Sequence, residues 1–139
     1  MKKKKLEFTS DTANLALMRR HVRQFIDPYP FSEKDRLLIV LGVDEACTNI
    51  IRHAYKLRAD RPICLSMEGL RKCVRLRLRD YGDHVPAHQM RGADHNVIRP
   101  GGLGLRLMKI AFDEINYIAK VRGTELILVK NLSAVNHES

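Results

Sequence analysis

Two periodicities divide the chain. Over residues 37–55, LLIVLGVDEACTNIIRHAY, apolar positions recur at helical spacing. Ile39, Val43, Ala46, Cys47, Ile50, Ile51 and Ala54 share one side, while Glu45, Asn49, Arg52 and His53, with Lys56 just beyond, share the other. Farther on the period becomes two. Val74, Leu76 and Leu78 alternate with Arg75, Arg77 and Arg79, the pattern of a strand with one buried face. Ile63, Leu65 and Met67 alternate in the same way, and Gly69-Leu70-Arg71-Lys72 forms a turn between the two runs, so the pair reads as a hairpin.

The remaining elements follow from punctuation. Residues 5–9 alternate weakly, as a short strand. Ser10 or Asp11 supplies a side-chain oxygen to cap a helix that runs to about residue 26, with Leu15, Met18, Val22, Phe25 and Ile26 toward the core. Asp27-Pro28-Tyr29-Pro30 breaks it, and Ser32 with Asp35 caps the central helix, which starts near Glu33 and ends around Leu57. Regular patterning fails from residue 80 to 100, apart from a short helix at 87–91. A helix at 103–112 is opened by Gly101-Gly102-Leu103-Gly104. Strands at 114–119 and 124–130 turn at Arg122-Gly123, and the chain from Asn131 is polar and frays. The order β-α-α-β-β-loop-α-β-β, with hairpins and helices on one face, predicts an α+β two-layer sandwich with a mixed, mainly antiparallel sheet, as a single domain over residues 1–139.

Composition narrows the classes. A content of 45% hydrophobic and 29% charged residues over 139 positions suits one globular core. No apolar run approaches the roughly 20 residues that cross a bilayer, and the basic start MKKKKLEFTS lacks a secretory apolar segment, so a cytoplasmic protein without a membrane role is expected. Cys47, Cys64 and Cys73 form no CxxC and read as reduced core thiols. His84, His88 and His95 match no zinc spacing. The net charge of +9 raises an anionic partner, but only 6% of residues are aromatic, so stacking platforms for bases are scarce.

The chemistry lies in three places. A solvated helix face usually carries interchangeable Lys and Glu, and that bland alternative fits any one stripe. Here an acid, an amide, an imidazole and a guanidinium lie at i, i+4, i+8 and i+7 from Glu45. Asn49 offers a hard oxygen suited to Mg²⁺, and Glu45 one turn earlier can accept a proton from an attacking hydroxyl. Gly101, Gly102 and Gly104 before a helix let backbone N–H groups reach phosphate oxygens, although the run is neither a P-loop nor a Rossmann fingerprint. Asp80, at a strand end, can accept from an exocyclic amine, and Gly82 leaves room for a flat ring.

Together EACTNIIRHAY, DYG, GGLGLRLM and RGTELILVK resemble the N-box, the two glycine boxes and the closing Gly-Thr of the GHKL ATPase superfamily. The wording is most similar to the anti-sigma-factor serine/threonine protein kinase branch. The resemblance implies a Bergerat ATP-binding fold holding Mg·ATP between the central helix and a lid at about 81–100. It implies Glu45 as catalytic base and Asn49 as Mg²⁺ ligand. It also implies His53 near the phosphates, Asp80 and Gly82 at the adenine, Gly101, Gly102, Leu103 and Gly104 around the phosphates, and Thr124 behind the adenine pocket. Arg99 is placed to reach the γ-phosphate from the lid. Two departures stand out: His84 replaces the second glycine of the usual D-x-G-x-G, and no phospho-acceptor histidine segment lies upstream.

The implied function is an ATP-dependent kinase acting as an anti-sigma factor. It would bind a sigma factor or an analogous target and phosphorylate a small antagonist protein, with homodimerisation implied by the resemblance alone. A non-catalytic ATP-binding module that sequesters a partner is the first alternative. A basic nucleic-acid-binding protein is the second; it leaves Glu45, Asn49, Asp80 and the glycines unexplained and ranks last.

Overall fold

Alternation builds the sheet, and the sheet places everything else. The computed structural model describes residues 2–83 and 102–132. In chain order the elements are β1 (Lys2–Thr9), α1 (Leu15–Ile26), α2 (Glu33–Asn49), β2 (Pro62–Gly69), β3 (Cys73–Asp80), α3 (Gly102–Ala111), β4 (Glu114–Ala119) and β5 (Thr124–Asn131). The five strands lie in the order β1-β2-β3-β5-β4, antiparallel at every pairing. β5 therefore inserts between β3 and the strand that precedes it in the chain.

Period two gives the sheet one dry face. Leu65, Met67, Leu76, Leu78 and Leu128 are fully buried there against Met18, Ile26, Ile39 and Val43 of α1 and α2 and Met108 of α3. The other face keeps Arg75, Arg77 and Arg79 half-exposed, as the alternation predicts. They are engaged with neighbours. Arg75 pairs with Glu68 at 2.8 Å, Arg77 lies 3.6 Å from Glu125, and the Arg79 guanidinium stacks over Tyr81 at 4.1 Å. Parity also corrects the thiols: Cys47 is buried in the core, but Cys64 and Cys73 fall on the open face and are only half-buried.

The lysine run belongs to the sheet. Lys2 to Lys5 pair with Gly69 through Ser66 of β2, so β1 starts three residues earlier than alternation alone suggests. Lysines along an edge strand also deter pairing with a second chain. Asp11 caps a single 3₁₀ turn (Thr12–Asn14) by accepting from the Ala13 N–H, and α1 follows it. Ser10 does something else. It is buried, its N–H donates to the Arg61 carbonyl at 2.7 Å, its hydroxyl donates to the Arg58 carbonyl, and the Arg61 N–H donates to its Oγ at 3.1 Å. Ser32 caps α2 as expected, through the Asp35 N–H at 3.0 Å.

The central helix does not run as an α-helix to Leu57. It changes after Asn49 into a π-helical turn (Ile50–Ala54), in which the Tyr55 N–H donates to the Ile50 carbonyl at 2.9 Å. Lys56 and Leu57 then take positive φ, 53° and 68°. Two consecutive left-handed residues other than glycine cost about 1–3 kcal/mol each. Burying the Tyr55 ring stabilises by a similar roughly 1.5–3 kcal/mol, and its hydroxyl hydrogen bonds add about 0.5–1.5 kcal/mol apiece. The strain is of the size that turning this ring inward offsets.

The β4–β5 turn closes on Gly123, whose φ is +76°. A Cβ there would collide with the Asp80 carbonyl. Gly123→Ala is expected to cost about 1–3 kcal/mol and to lower the melting temperature by several degrees, read by thermal unfolding. An unchanged melt would show that the turn relaxes freely.

Candidate functional site

The polar side of α2 is set by the core side. With Ile39, Val43, Ala46 and Cys47 buried on the sheet, Glu45 and Asn49 fall one turn apart at the margin of the helix layer, each half-buried. Among the described residues, neither makes a side-chain hydrogen bond that would occupy it. Burial pushes the Glu45 carboxyl above its ordinary value, Arg52 opposes this, and Asp44 adds to it. Arg52 and His53 sit on the π turn and are exposed, so the single line expected from α-helical spacing bends outward after Asn49. Partial burial, then the nearby Arg52 and Lys56 cations, hold the His53 imidazole below its usual value and favour its neutral form.

Asp80 ends β3 and is 4% exposed, the one buried charged residue among those described. Its Oδ1 accepts from the Gly82 N–H at 3.0 Å, which curls the chain directly after the strand. Register places Thr124 opposite Asp80, and Gly123 packs on the Asp80 carbonyl. The Asp80–Gly82 turn is also tied to the end of the central helix. The Asp83 N–H donates to the Ala54 carbonyl at 3.1 Å, and Gly82 lies so close to that carbonyl that a Cβ would not fit.

Four expected regions thus fall into two placements. Asp80, Gly82 and Thr124 come together at one end of the sheet, against the end of the helix that carries Glu45 and Asn49. Gly102 opens α3, with Leu103 and Gly104 in its first turn, and α3 packs along α2, where a Cβ on Gly42 would meet Phe112 at 2.8 Å. Arg99, Gly101, the 87–91 helix, His84, His88, His95 and nearly all of the expected lid lie outside the described residues. Tyr55, the last residue of EACTNIIRHAY, is part of this arrangement too. It lies between the Asp80 turn and the helix end, and its signal in the sequence is an aromatic with a polar end closing the apolar face.

The arrangement suits a purine nucleotide. A buried carboxylate at a strand end, with a glycine beside it, offers an acceptor and a flat space to an exocyclic amine. Among the described residues no three His, Cys, Asp or Glu side chains come together to cage a metal. Asn49 nevertheless fits Mg²⁺, which takes one or two protein oxygens and completes its shell with waters and phosphates.

This is the GHKL-type ATP-binding fold, and the chain belongs to the family described as the histidine kinase-like ATPase domain, whose sequence profile matches residues 8–130. Its relatives carry kinase and anti-sigma names. The anti-sigma F factor of Clostridium novyi (strain NT) is 26% identical over 138 residues, covering 96% of this chain and 96% of that protein. The serine-protein kinase RsbW of Bacillus subtilis (strain 168) is 29% identical over 126 residues, covering 80% of this chain and 74% of that one. RsbW of Bacillus licheniformis is 30% identical over 83 residues, covering 54% of this chain; that match spans about half of the relative, 52%. Among solved structures, the histidine kinase domain from the Erythrobacter litoralis EL346 blue-light activated histidine kinase superposes with a TM-score of 0.63 at 20% identity. It covers 88% of this chain and 61% of that one, a likeness of fold. Among the described residues no helix is long and apolar enough to cross a membrane.

Proposed function

We propose that this protein is an ATP-dependent serine/threonine protein kinase acting as an anti-sigma factor in a bacterial partner switch. It holds a sigma factor, or a target of the same kind, and phosphorylates a small antagonist protein. The observation that carries this is the pair Glu45 and Asn49, half-buried one turn apart with no side-chain hydrogen bond among the described residues, on the helix whose far end braces the Asp80 turn. A helix side kept only for solvation has no need of an acid whose ionisation the fold disfavours. The names of the relatives supply the substrate class.

In this reading Asn49 holds Mg²⁺, and Asp80, Gly82 and Thr124 seat the adenine. Gly101, Gly102, Leu103 and Gly104 receive the phosphates, with His53 and Arg99 nearby and residues 81–100 as the lid of a single 1–139 domain. Bound Mg·ATP supplies the phosphoryl group and the charge that steadies its transfer. Glu45 takes the proton from the antagonist's serine or threonine hydroxyl, and its raised pKa keeps it a competent base near neutral pH. A phosphate on the antagonist adds about −1.5 to −2 charges to an interface and opens it, which exchanges partners. A cytoplasmic location and a homodimer belong to the same reading. The paired state of Arg75 and Arg77 disfavours the nucleic-acid alternative, since those side chains already serve Glu68 and Glu125.

The test is transfer. Purified protein with radiolabelled ATP, Mg²⁺ and the antagonist from the same genome is expected to label the antagonist on Ser or Thr. ATP binding without label transfer would leave a nucleotide-sensing sequestration module in its place.

A further inference from the structure

We propose that Tyr55 is a positioning residue that fixes the base end of the site to the phosphate end. The inference rests on the nucleotide reading above and names a residue it does not use.

Tyr55 is 4% exposed, with its ring against the residues that follow β3. Its hydroxyl has two partners on different segments: it donates to the Pro62 carbonyl at 2.5 Å and accepts from the Tyr81 N–H at 2.8 Å. Pro62 opens β2 and Tyr81 follows the last residue of β3, next to the Ile63–Asp80 register pair. One phenol therefore spans the ends of two strands. Burial foremost raises its pKa, so it stays the protonated form that donates and accepts at once.

The Tyr81 amide that Tyr55 holds is the peptide joining Asp80 to Tyr81. Its orientation sets where the Asp80 carboxylate points, and that carboxylate already binds the Gly82 N–H. Gly82 in turn abuts the Ala54 carbonyl and would place a Cβ 2.9 Å from the Tyr55 ring. The ring, the Ala54 carbonyl and the Asp80–Gly82 curl form one latch. The π turn and the left-handed Lys56 and Leu57 are the local distortions that bring the ring into it. Asn49 directly precedes that π turn, so the latch links the proposed magnesium end of the helix to the adenine acceptor. Three backbone anomalies in a row are costly, and a helix ended by solvent alone would not need them.

A purely structural tyrosine and a positioning one differ in what its loss disturbs. Tyr55→Phe keeps the ring and removes both hydroxyl hydrogen bonds. The ratio of ATP to GTP affinity, measured calorimetrically with Mg²⁺, is expected to fall about tenfold, because the Asp80 acceptor loses its aim. Affinity for inorganic triphosphate is expected to stay within about twofold, because phosphate contacts do not use the latch. Amide exchange at Tyr81 is expected to speed up while Leu76 and Leu78 in β3 stay protected. Gly82→Ala, which presses on the latch from the other side, is expected to lower the same ratio. An unchanged ATP-to-GTP ratio in Tyr55→Phe, or an equal loss of all three ligands, overturns the role given to Tyr55 while leaving the nucleotide reading in place. Wild-type protein that takes up none of the three ligands overturns both.

Discussion

Glu45→Gln is expected to bind Mg·ATP as the wild type does and to transfer phosphate to the antagonist about 10²–10⁴-fold more slowly. Glutamine keeps the size of the side chain at the margin of α2 and removes only the ability to take a proton. Nucleotide affinity should hardly move, because the proposed function seats the adenine at the Asp80 end. Two pH effects follow from the raised carboxyl pKa. With Glu45 as the proposed base, transfer needs the carboxylate, so the acid limb of the transfer rate should lie above the pH at which an ordinary glutamate titrates, and the slow Gln variant should lack that limb. Stability runs the other way. With the folded pKa above the unfolded one, the contribution of Glu45 is present in acid and is lost as pH rises through the folded value. Glu45→Gln should therefore melt no lower than wild type at neutral pH, and slightly higher if anything. Stopped-flow or filter-bound label transfer, with melts at two pH values, checks all of this. Wild-type transfer rates in the variant would remove Glu45 from the chemistry.

Asp80→Asn is expected to shift the preference from ATP toward GTP by about 10–100-fold, the size of losing a charge-assisted hydrogen bond and leaving a buried donor facing a donor. The asparagine oxygen can still accept from the Gly82 N–H that Oδ1 now serves, so the curl should survive. The amide nitrogen then occupies the other carboxylate position. In the proposed adenine pocket it would oppose the exocyclic amine of adenine and complement the carbonyl of guanine. Competition between the two nucleotides in a binding titration reads the shift directly. Undiminished ATP preference would mean that Asp80 is buried for structural reasons alone.

What alternation controls is legible in the residues alone. The arginines of β3, the two hairpins, the Ser32 cap and the limits of β4 all follow from residue parity and short-range hydrogen-bonding chemistry. The open-face positions of Cys64 and Cys73 were available from that parity too, since Cys64 shares it with Ser66 and Glu68, and Cys73 with Arg75. Other features depend on distant neighbours. Lysine disfavours strands, yet β1 extends to Lys2 because β2 offers it partners as far as Gly69. Residues 50–54 keep an apolar side at helical spacing, so nothing local marks a π turn there. The demand comes from the Pro62 carbonyl and the Tyr81 amide, which draw Tyr55 inward. Lys56 and Leu57 carry no Gly or Asn signal for left-handed backbone, because the tertiary latch, not local preference, holds them so. Glu45, Asn49 and Asp80 stand out as residue types in a spacing; the Tyr55 hydroxyl that holds the Tyr81 amide beside Asp80 does not.

The place of β5 has a consequence for how the molecule comes into being. Thr124 lies across from Asp80 only because a late strand returns past β4 to zip onto β3, a union between distant stretches of chain. Such closures are slow, since a long intervening loop must surrender its freedom before any bond repays it. On the ribosome, a nascent chain would display Glu45 and Asn49 well before Thr124 meets Asp80, so under the proposed function capture of nucleotide would coincide with the last stage of folding.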